Sequence, residues 1–193
     1  MYKIDLNSDL GEGAAFDAQI IPLITGANIA CGFHAGSSEI MDKTIDLCKA
    51  SGVAFGAHPG YPDRENFGRT KMTVTPKQVY DFTLYQLGAL GAFAVAKGVK
   101  MQHVKPHGAM YNAAAKDPAL AAAIADAIKD FDPIGQLGSN VFIVVFDCVE
   151  VYRRISSVPC HNIASARLTV LMPFSANALF SALTKSSAFS PSP

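Results

Sequence analysis

The chain has 193 residues, half of them hydrophobic, and its 16 basic residues balance 16 acidic ones. This length fits one domain with a substantial core, and the neutral charge excludes the basic footprint of proteins that bind nucleic acid or anionic lipid. No apolar run approaches the roughly 20 residues that span a bilayer, the start does not resemble a signal or transit peptide, and the four cysteines show no CxxC spacing. We therefore expect a soluble, cytoplasmic, thiol-reduced protein.

The first predicted strand carries polar residues on one face. Polar and apolar residues alternate over residues 3–9, so Asp5, Asn7 and Asp9 share one side of an extended backbone. Glu12 follows between two glycines, which let a backbone approach a ligand closely. Two carboxylates and an amide beside Glu12 favour a binding site over a plain amphipathic edge strand.

The next two predicted strands both end on a histidine. Residues 17–25 predict a short helix interrupted by a proline, and a buried strand over residues 28–33 then ends at His34. After a helix with a serine cap and a glycine stop, a second buried strand over residues 53–57 ends at His58. Each histidine is followed closely by glycine, and the repetition indicates a shared site.

The charged loop over residues 61–72 holds two candidate anion-binding residues. Arg64 and Arg69 flank a glycine, and the forked donors of arginine suit planar oxyanions such as carboxylate or phosphate. A solvated loop is the alternative interpretation, and composition alone favours it.

Two helices are marked by their caps. Thr75 opens a capping box with proline at the first helical position, which predicts a helix to about residue 97. Its Gly88 and Gly91 predict close packing on the sheet. Asp117 opens a second, alanine-rich helix.

Between these helices lies the segment with the densest chemistry. A strand predicted over residues 99–104 leads into His103, Lys105 and His107, which alternate and so point to one side. Imidazoles bind metals or move protons, and a lysine holds an anion. Pro106 ends the strand. A solvent-facing edge strand with incidental histidines is the alternative.

Strand and helix alternate four times, which predicts an α/β fold with a parallel, barrel-like sheet and crossover helices. In such barrels the active site lies at the carboxyl ends of the strands. We therefore predict that the polar residues at these ends lie within about 10 Å of a common centre, as barrel-mouth packing implies. They are Asp5, Asn7, Asp9, His34, His58, His103, Lys105 and His107.

Five blocks of this sequence resemble the LamB/YcsF family, the A subunit of bacterial 5-oxoprolinase. The blocks are DLNSDLGE at residues 5–12, NIACGFHAG at 28–36, GAHP at 56–59, RENFGR at 64–69 and HVKPHG at 103–108. The resemblance covers about residues 1–133. It implies a seven-stranded TIM-type barrel akin to the glycoside hydrolase/deacetylase folds.

The resemblance also implies a reaction. The family opens the lactam of 5-oxoproline to L-glutamate with ATP, in a complex with two further subunits. ATP would make the unactivated amide electrophilic by phosphorylating the lactam oxygen, and a positioned base would then direct water to the carbon. The sequence contains no GxxxxGK[ST] loop, so we assign ATP to the complex and not to a P-loop in this chain.

We predict site residues by chemical type. The catalytic group comprises Asp9, His58, Lys105 and His107. The substrate-binding group comprises Asp5, Asn7, Glu12, His34, Arg64, Arg69 and His103. A carboxylate or imidazole would be the base, and Lys105 or an arginine would hold the developing anion.

The resemblance stops near residue 133. The later blocks of the family are missing, and serines accumulate over residues 134–193, which suggests a frameshifted or truncated reading frame, with a divergent tail as the alternative. Residues 141–146 are still typical of a fifth strand. An incomplete barrel exposes strand edges, so we expect self-association and no complete 5-oxoproline hydrolysis by the chain in this form.

Two other functions stay open. Asp9, His34, His58 and His107 could bind a divalent metal that acidifies water, as in a metal-dependent deacetylase or hydrolase of the same barrel superfamily. Alternatively, the chain is a non-catalytic fragment that retains only a binding surface.

Overall fold

The computed structural model describes residues 6–132 and the backbone of the strand at residues 137–143. Within these residues, helices and strands alternate around one sheet. Short 3-10 turns lie at Ile21–Leu23 and Arg64–Asn66. The strands are β1 (Asn7–Leu10), β2 (Gly26–Ala30), β3 (Ala54–His58), β4 (Met101–Val104) and β5 (Leu137–Ile143). The helices are α1 (Asp17–Ile20), α2 (Ser38–Ser51), α3 (Pro76–Ala96), α4 (Gly108–Ala114) and α5 (Pro118–Phe131).

The five strands form one parallel sheet in the order β1-β2-β3-β4-β5. Sequential parallel strands joined by helices are the arrangement of a β/α barrel wall. The predicted α/β, barrel-like fold class is therefore confirmed. β5 begins four residues before the strand predicted at residues 141–146. Residues 1–5 and, apart from β5, the divergent segment 134–193 lie outside the described residues, so the predicted domain boundary stays a prediction.

Apolar residues of the sheet and the helices form a single core. Every residue of β2 is buried, as expected for a strand covered on both faces. Gly91 of α3 lies against α5, because a Cβ at Gly91 would lie 2.5 Å from the Phe131 ring. The prediction of close packing is thus correct at Gly91, although the main contact is with a helix instead of the sheet. The prediction is wrong at Gly88, where a Cβ would meet nothing within 4 Å. Among the described helices, none is both long and apolar enough to cross a membrane.

Two differences from the sequence-based prediction change the chain around the site, while strand starts shift by two residues at β2 (Gly26 instead of 28) and β4 (Met101 instead of 99). β2 ends at Ala30 instead of residue 33, because Gly32 adopts a φ of 96° and its N–H donates to the Ala35 carbonyl in a turn. The second difference is α4, which was not predicted. Gly108 makes the predicted turn with a φ of 49°, but a seven-residue helix starts there.

Both predicted helix caps are present. The Thr75 side chain accepts a hydrogen bond from the Gln78 N–H, and the Gln78 side chain accepts one from the Thr75 N–H, at 3.2 and 2.9 Å. At α5, the Asp117 side chain accepts from the Ala119 N–H at 2.9 Å. These bonds satisfy N–H groups that have no partner inside the helix.

The capping box gives a first test. Thr75→Ala should lower the free energy of unfolding by about 1 kcal/mol, because it leaves a first-turn N–H of α3 without its acceptor. Denaturant midpoints measure this loss, with Thr73→Ala in the exposed loop just before α3 as the control. Equal midpoints for the two variants would contradict the cap's contribution.

Candidate functional site

Backbone hydrogen bonds hold the chain after β4 against the chain after β3. The Lys105 N–H donates to the Ala57 carbonyl at 2.9 Å, and the His107 N–H donates to the Pro59 carbonyl at 2.8 Å. Parallel pairing therefore continues past the strand ends, and it carries both side chains to the carboxyl-terminal edge of the sheet. This edge is where β/α proteins place their active sites.

The structure brings most of the predicted site residues into one network of side chains. Contacts of 3.6 Å or less connect Asn7, Asp9, Glu12, His34, His58, His103, Lys105 and His107 through each other and through Asn28. Asp5 lies outside the described residues. The convergence predicted from the strand ends is thus observed, while the catalytic and binding roles of these residues stay predictions.

The open side of the network contains an ion pair. The Lys105 ammonium donates to Asp9 Oδ1 at 2.6 Å, and both side chains are partly exposed. The Asn28 amide donates to the same oxygen at 2.7 Å. Burial alone would raise the pKa of Asp9, but the neighbouring His58, the Lys105 charge and the two hydrogen bonds lower it below its ordinary value. Asp9 is therefore a carboxylate that orients a lysine at the mouth of the site.

Asn28 connects three strands below this ion pair. It is fully buried on β2, where it pairs with Asp9 of β1 and Gly56 of β3. Its Oδ1 accepts from His103 Nε2 of β4 at 2.6 Å, and its amide also donates to Asn7 at 3.0 Å. Gly56 lets the His103 side chain of β4 cross β3 to contact Asn28. A Cβ at Gly56 would lie 2.4 Å from the His103 ring and 2.3 Å from the His103 carbonyl oxygen.

Behind the ion pair lie two buried histidines that contact each other. His58 Nε2 and His107 Nδ1 are 2.9 Å apart. The opposite nitrogen of each ring lies on a backbone carbonyl: His58 Nδ1 is 2.6 Å from the Lys105 oxygen, and His107 Nε2 is 2.8 Å from the Phe67 oxygen. A carbonyl can only accept, so these outer nitrogens carry the protons.

Burial keeps both rings neutral at pH 7. It lowers the pKa of His58 to about 3, and it lowers the pKa of His107, with the neighbouring His34 acting in the same direction. A group with so low a pKa accepts a proton poorly near neutral pH. The lowered pKa values therefore favour these histidines as ligands or positioning groups, and their predicted catalytic role stays a prediction.

Glu12 and His34 complete the cluster. Glu12 Oε1 lies 3.1 Å from His34 Nε2, 3.6 Å from His58 Nε2 and 3.5 Å from His107 Nδ1. The His34 ring stacks on the His107 ring at a centroid distance of 3.9 Å. One ligand atom from each of these four residues lies within 4.8 Å of the other three. This group could hold a metal ion, and it contains Glu12 where the sequence predicted Asp9.

The two arginines have different surroundings. Arg64 Nη2 donates to the carbonyls of Gly32 and Gly36, so it braces the loop that carries His34. Arg69 lies over the Phe67 ring, with its guanidinium carbon 5.2 Å from the ring centroid. Both contacts are made within the protein, and the substrate-binding role of both residues stays a prediction.

Sequence reasoning missed two residues of the site. Asn28 was included in a buried strand without a role, although a polar residue inside an apolar run was an available signal. Phe67 supplies the carbonyl for His107 from a φ of 55°, and it is the one residue other than glycine with positive φ in the described part of the chain. Such backbone strain often accompanies a functional position, and the sequence marked Phe67 only as part of the RENFGR block at residues 64–69.

Gly56 provides a test of this packing. Gly56→Ala should lower the free energy of unfolding by about 1–3 kcal/mol, because the new methyl group collides with His103. The control is Gly88→Ala, which has open space in a helix and should gain up to about 1 kcal/mol. Denaturant unfolding measures both. A Gly56→Ala variant as stable as the parent chain would contradict the His103–Asn28 arrangement.

Comparison with known proteins agrees with this architecture. A crystal structure of the lactam utilization protein from Thermus thermophilus matches with 44% sequence identity and a TM-score of 0.72, over 81% of this chain. The match covers 63% of that protein, so this chain spans less than two thirds of its length. The profile of the LamB/YcsF family matches residues 4–145. The chain therefore belongs to the LamB/YcsF family.

Proposed function

We propose that this chain takes part in the ATP-dependent hydrolysis of 5-oxoproline to L-glutamate, as the A subunit of a 5-oxoprolinase with two further subunits. Family membership and the name of the Thermus protein support a lactam substrate. The observation that carries the proposal is the Asp9–Lys105 ion pair, which sits beside a buried polar cluster at the carboxyl ends of parallel strands. In this proposal the reaction is cytoplasmic, where ATP is available.

The ion pair suits the charge changes of lactam opening. Water attack on the lactam carbon moves negative charge onto the carbonyl oxygen, and an oriented ammonium stabilises that charge most in a partly dry site. Lys105 is held by Asp9 at 2.6 Å and is mostly shielded from solvent. We assign Lys105 to the developing anion and Asp9 to its orientation.

Proton acceptance then falls to a carboxylate. Burial lowers the pKa of His58 to about 3, and the pKa of Asp9, which is paired with Lys105, also lies below its ordinary value. We therefore assign acceptance of the proton of the attacking water to Glu12, which is partly exposed beside the cluster. ATP supplies activation of the lactam oxygen when it is bound, and we assign its binding to the assembled complex. Asn7 and His103 reach the network through Asn28 and position it.

A second candidate is a metal-dependent hydrolase or deacetylase. The observation that favours it is the cluster of Glu12 with three histidines, whose ligand atoms lie within 4.8 Å of one another. A non-catalytic binding fragment is the third candidate. The three differ in turnover and in substrate binding.

The test is a lysine substitution in the assembled complex. The parent chain is first assembled with the two partner subunits to establish whether it releases glutamate, which the divergent tail is expected to prevent. Where the parent is active, Lys105→Met should reduce ATP-dependent glutamate release from 5-oxoproline by at least about 100-fold, because one positioned donor is lost. Lys116→Met is the matched control, since Lys116 is exposed beyond α4. Equal rates for the two variants would contradict the assignment of Lys105.

A binding measurement separates the lactam hydrolase from the binding fragment. Calorimetry of the chain alone should detect 5-oxoproline but not L-proline, which lacks the lactam carbonyl, and Lys105→Met should weaken the interaction. Binding without glutamate release in the complex would support the fragment. The absence of both 5-oxoproline binding and glutamate release would reject the lactam proposal.

A further inference from the structure

The contacts of His58 and His107 require one more positive charge than two neutral rings provide. Three contacts lie in a row: the Lys105 carbonyl with His58 at 2.6 Å, His58 with His107 at 2.9 Å, and His107 with the Phe67 carbonyl at 2.8 Å. Each hydrogen bond needs one proton, and two neutral imidazoles carry two. The carbonyls at both ends take these protons, so the two facing nitrogens present lone pairs to each other.

A cation between these nitrogens removes the repulsion. An added proton would create an imidazolium where both residues are at most 6% exposed, with Glu12 and Asp9 as its counter-charges at 3.5–3.6 Å. A metal ion instead uses both lone pairs as ligands. A histidine that binds a metal usually donates its other N–H to a carbonyl or carboxylate, and this is the arrangement of both rings here.

Two further ligand atoms face the same point. Glu12 Oε1 lies 3.5–3.6 Å from the two facing nitrogens and 3.1 Å from His34 Nε2. Ligands bonded to a tetrahedral zinc ion at 2.0–2.1 Å are about 3.4 Å apart. The separations of 2.9–3.6 Å between these nitrogen and oxygen atoms bracket that value. The widest pair of ligand atoms, which lies within 4.8 Å, would move closer when the ion binds.

We propose that Glu12, His34, His58 and His107 form a binding site for one divalent transition-metal ion of the zinc type. Three imidazoles and one carboxylate suit zinc, cobalt, nickel or copper, whereas magnesium and calcium prefer oxygen ligands. Asp9 is not one of the four, since its Oδ1 binds Lys105 and Asn28. Its Oδ2 lies 3.5 Å from His58 Nε2, so the Asp9→Asn variant below tests this assignment. The proposal does not depend on the lactam reaction, and metal binding is measured separately from activity.

The test begins with the full chain, stripped of metal with a chelator. Titration with ZnCl2 in a calorimeter should give one ion per chain. CoCl2 should produce the visible absorption bands of a four-coordinate site, and ZnCl2 should displace them. Zinc should also raise the thermal unfolding temperature, because an ion that binds only the folded state stabilises it.

Substitutions identify the ligands. Glu12→Gln and His34→Gln should each weaken zinc binding by at least about tenfold, since even outer partners of metal ligands contribute that much. Asp9→Asn should change the affinity by less than about threefold, because it leaves the ligand set intact. Far-UV circular dichroism and the urea midpoint verify that each variant is folded.

Three outcomes would overturn the proposal. No zinc binding by the folded parent chain would mean that His58 and His107 share a proton instead of a metal. Loss of binding in Asp9→Asn with retention in Glu12→Gln would transfer the site to the set predicted from sequence. Stronger binding of MgCl2 than of ZnCl2 would exclude a zinc-type site.

Discussion

Two backbone carbonyls that cannot donate a hydrogen bond determine the chemistry of this site. The Lys105 and Phe67 oxygens each accept from a buried imidazole, and they thereby fix the tautomers of His58 and His107. The remaining nitrogens must then face each other at 2.9 Å, in a place where both residues are buried. Glu12 Oε1 lies within 3.6 Å of both nitrogens and adds a third electron-rich atom, so the arrangement calls for a cation at this point.

The fold supplies this constraint through pairing of parallel strands. Lys105 follows β4, and the same residue serves two neighbours: its carbonyl holds the His58 ring of β3, while its ammonium holds Asp9 of β1. Asn28 of β2 binds Asp9 as well. The buried cluster of Glu12 and three histidines and the partly exposed ion pair are therefore connected through Lys105. A substitution in either part should shift the side chains of the other.

The sequence predicted the parts of this account that depend on period and order. Strand–helix alternation gave the parallel sheet, and alternate residues placed His103, Lys105 and His107 on one side. The sequence could not reveal side-chain contacts that form only between separate helices, strands and loops. The position of the Phe67 carbonyl depends on a positive φ in a loop. Glu12 joins the cluster because the turn after β1 folds toward His34. Asp9 was predicted as a metal ligand because spacing cannot show that Lys105 already neutralises it.

The most direct measurement of the central claim is the tautomeric state of the two histidines. Long-range 1H–15N NMR correlations on the metal-free chain, with rings assigned through His58→Gln and His107→Gln, locate the ring protons. The account predicts a proton on Nδ1 of His58 and on Nε2 of His107, because each faces a carbonyl. A His58 ring without a proton on Nδ1, or a His107 ring without one on Nε2, would contradict it.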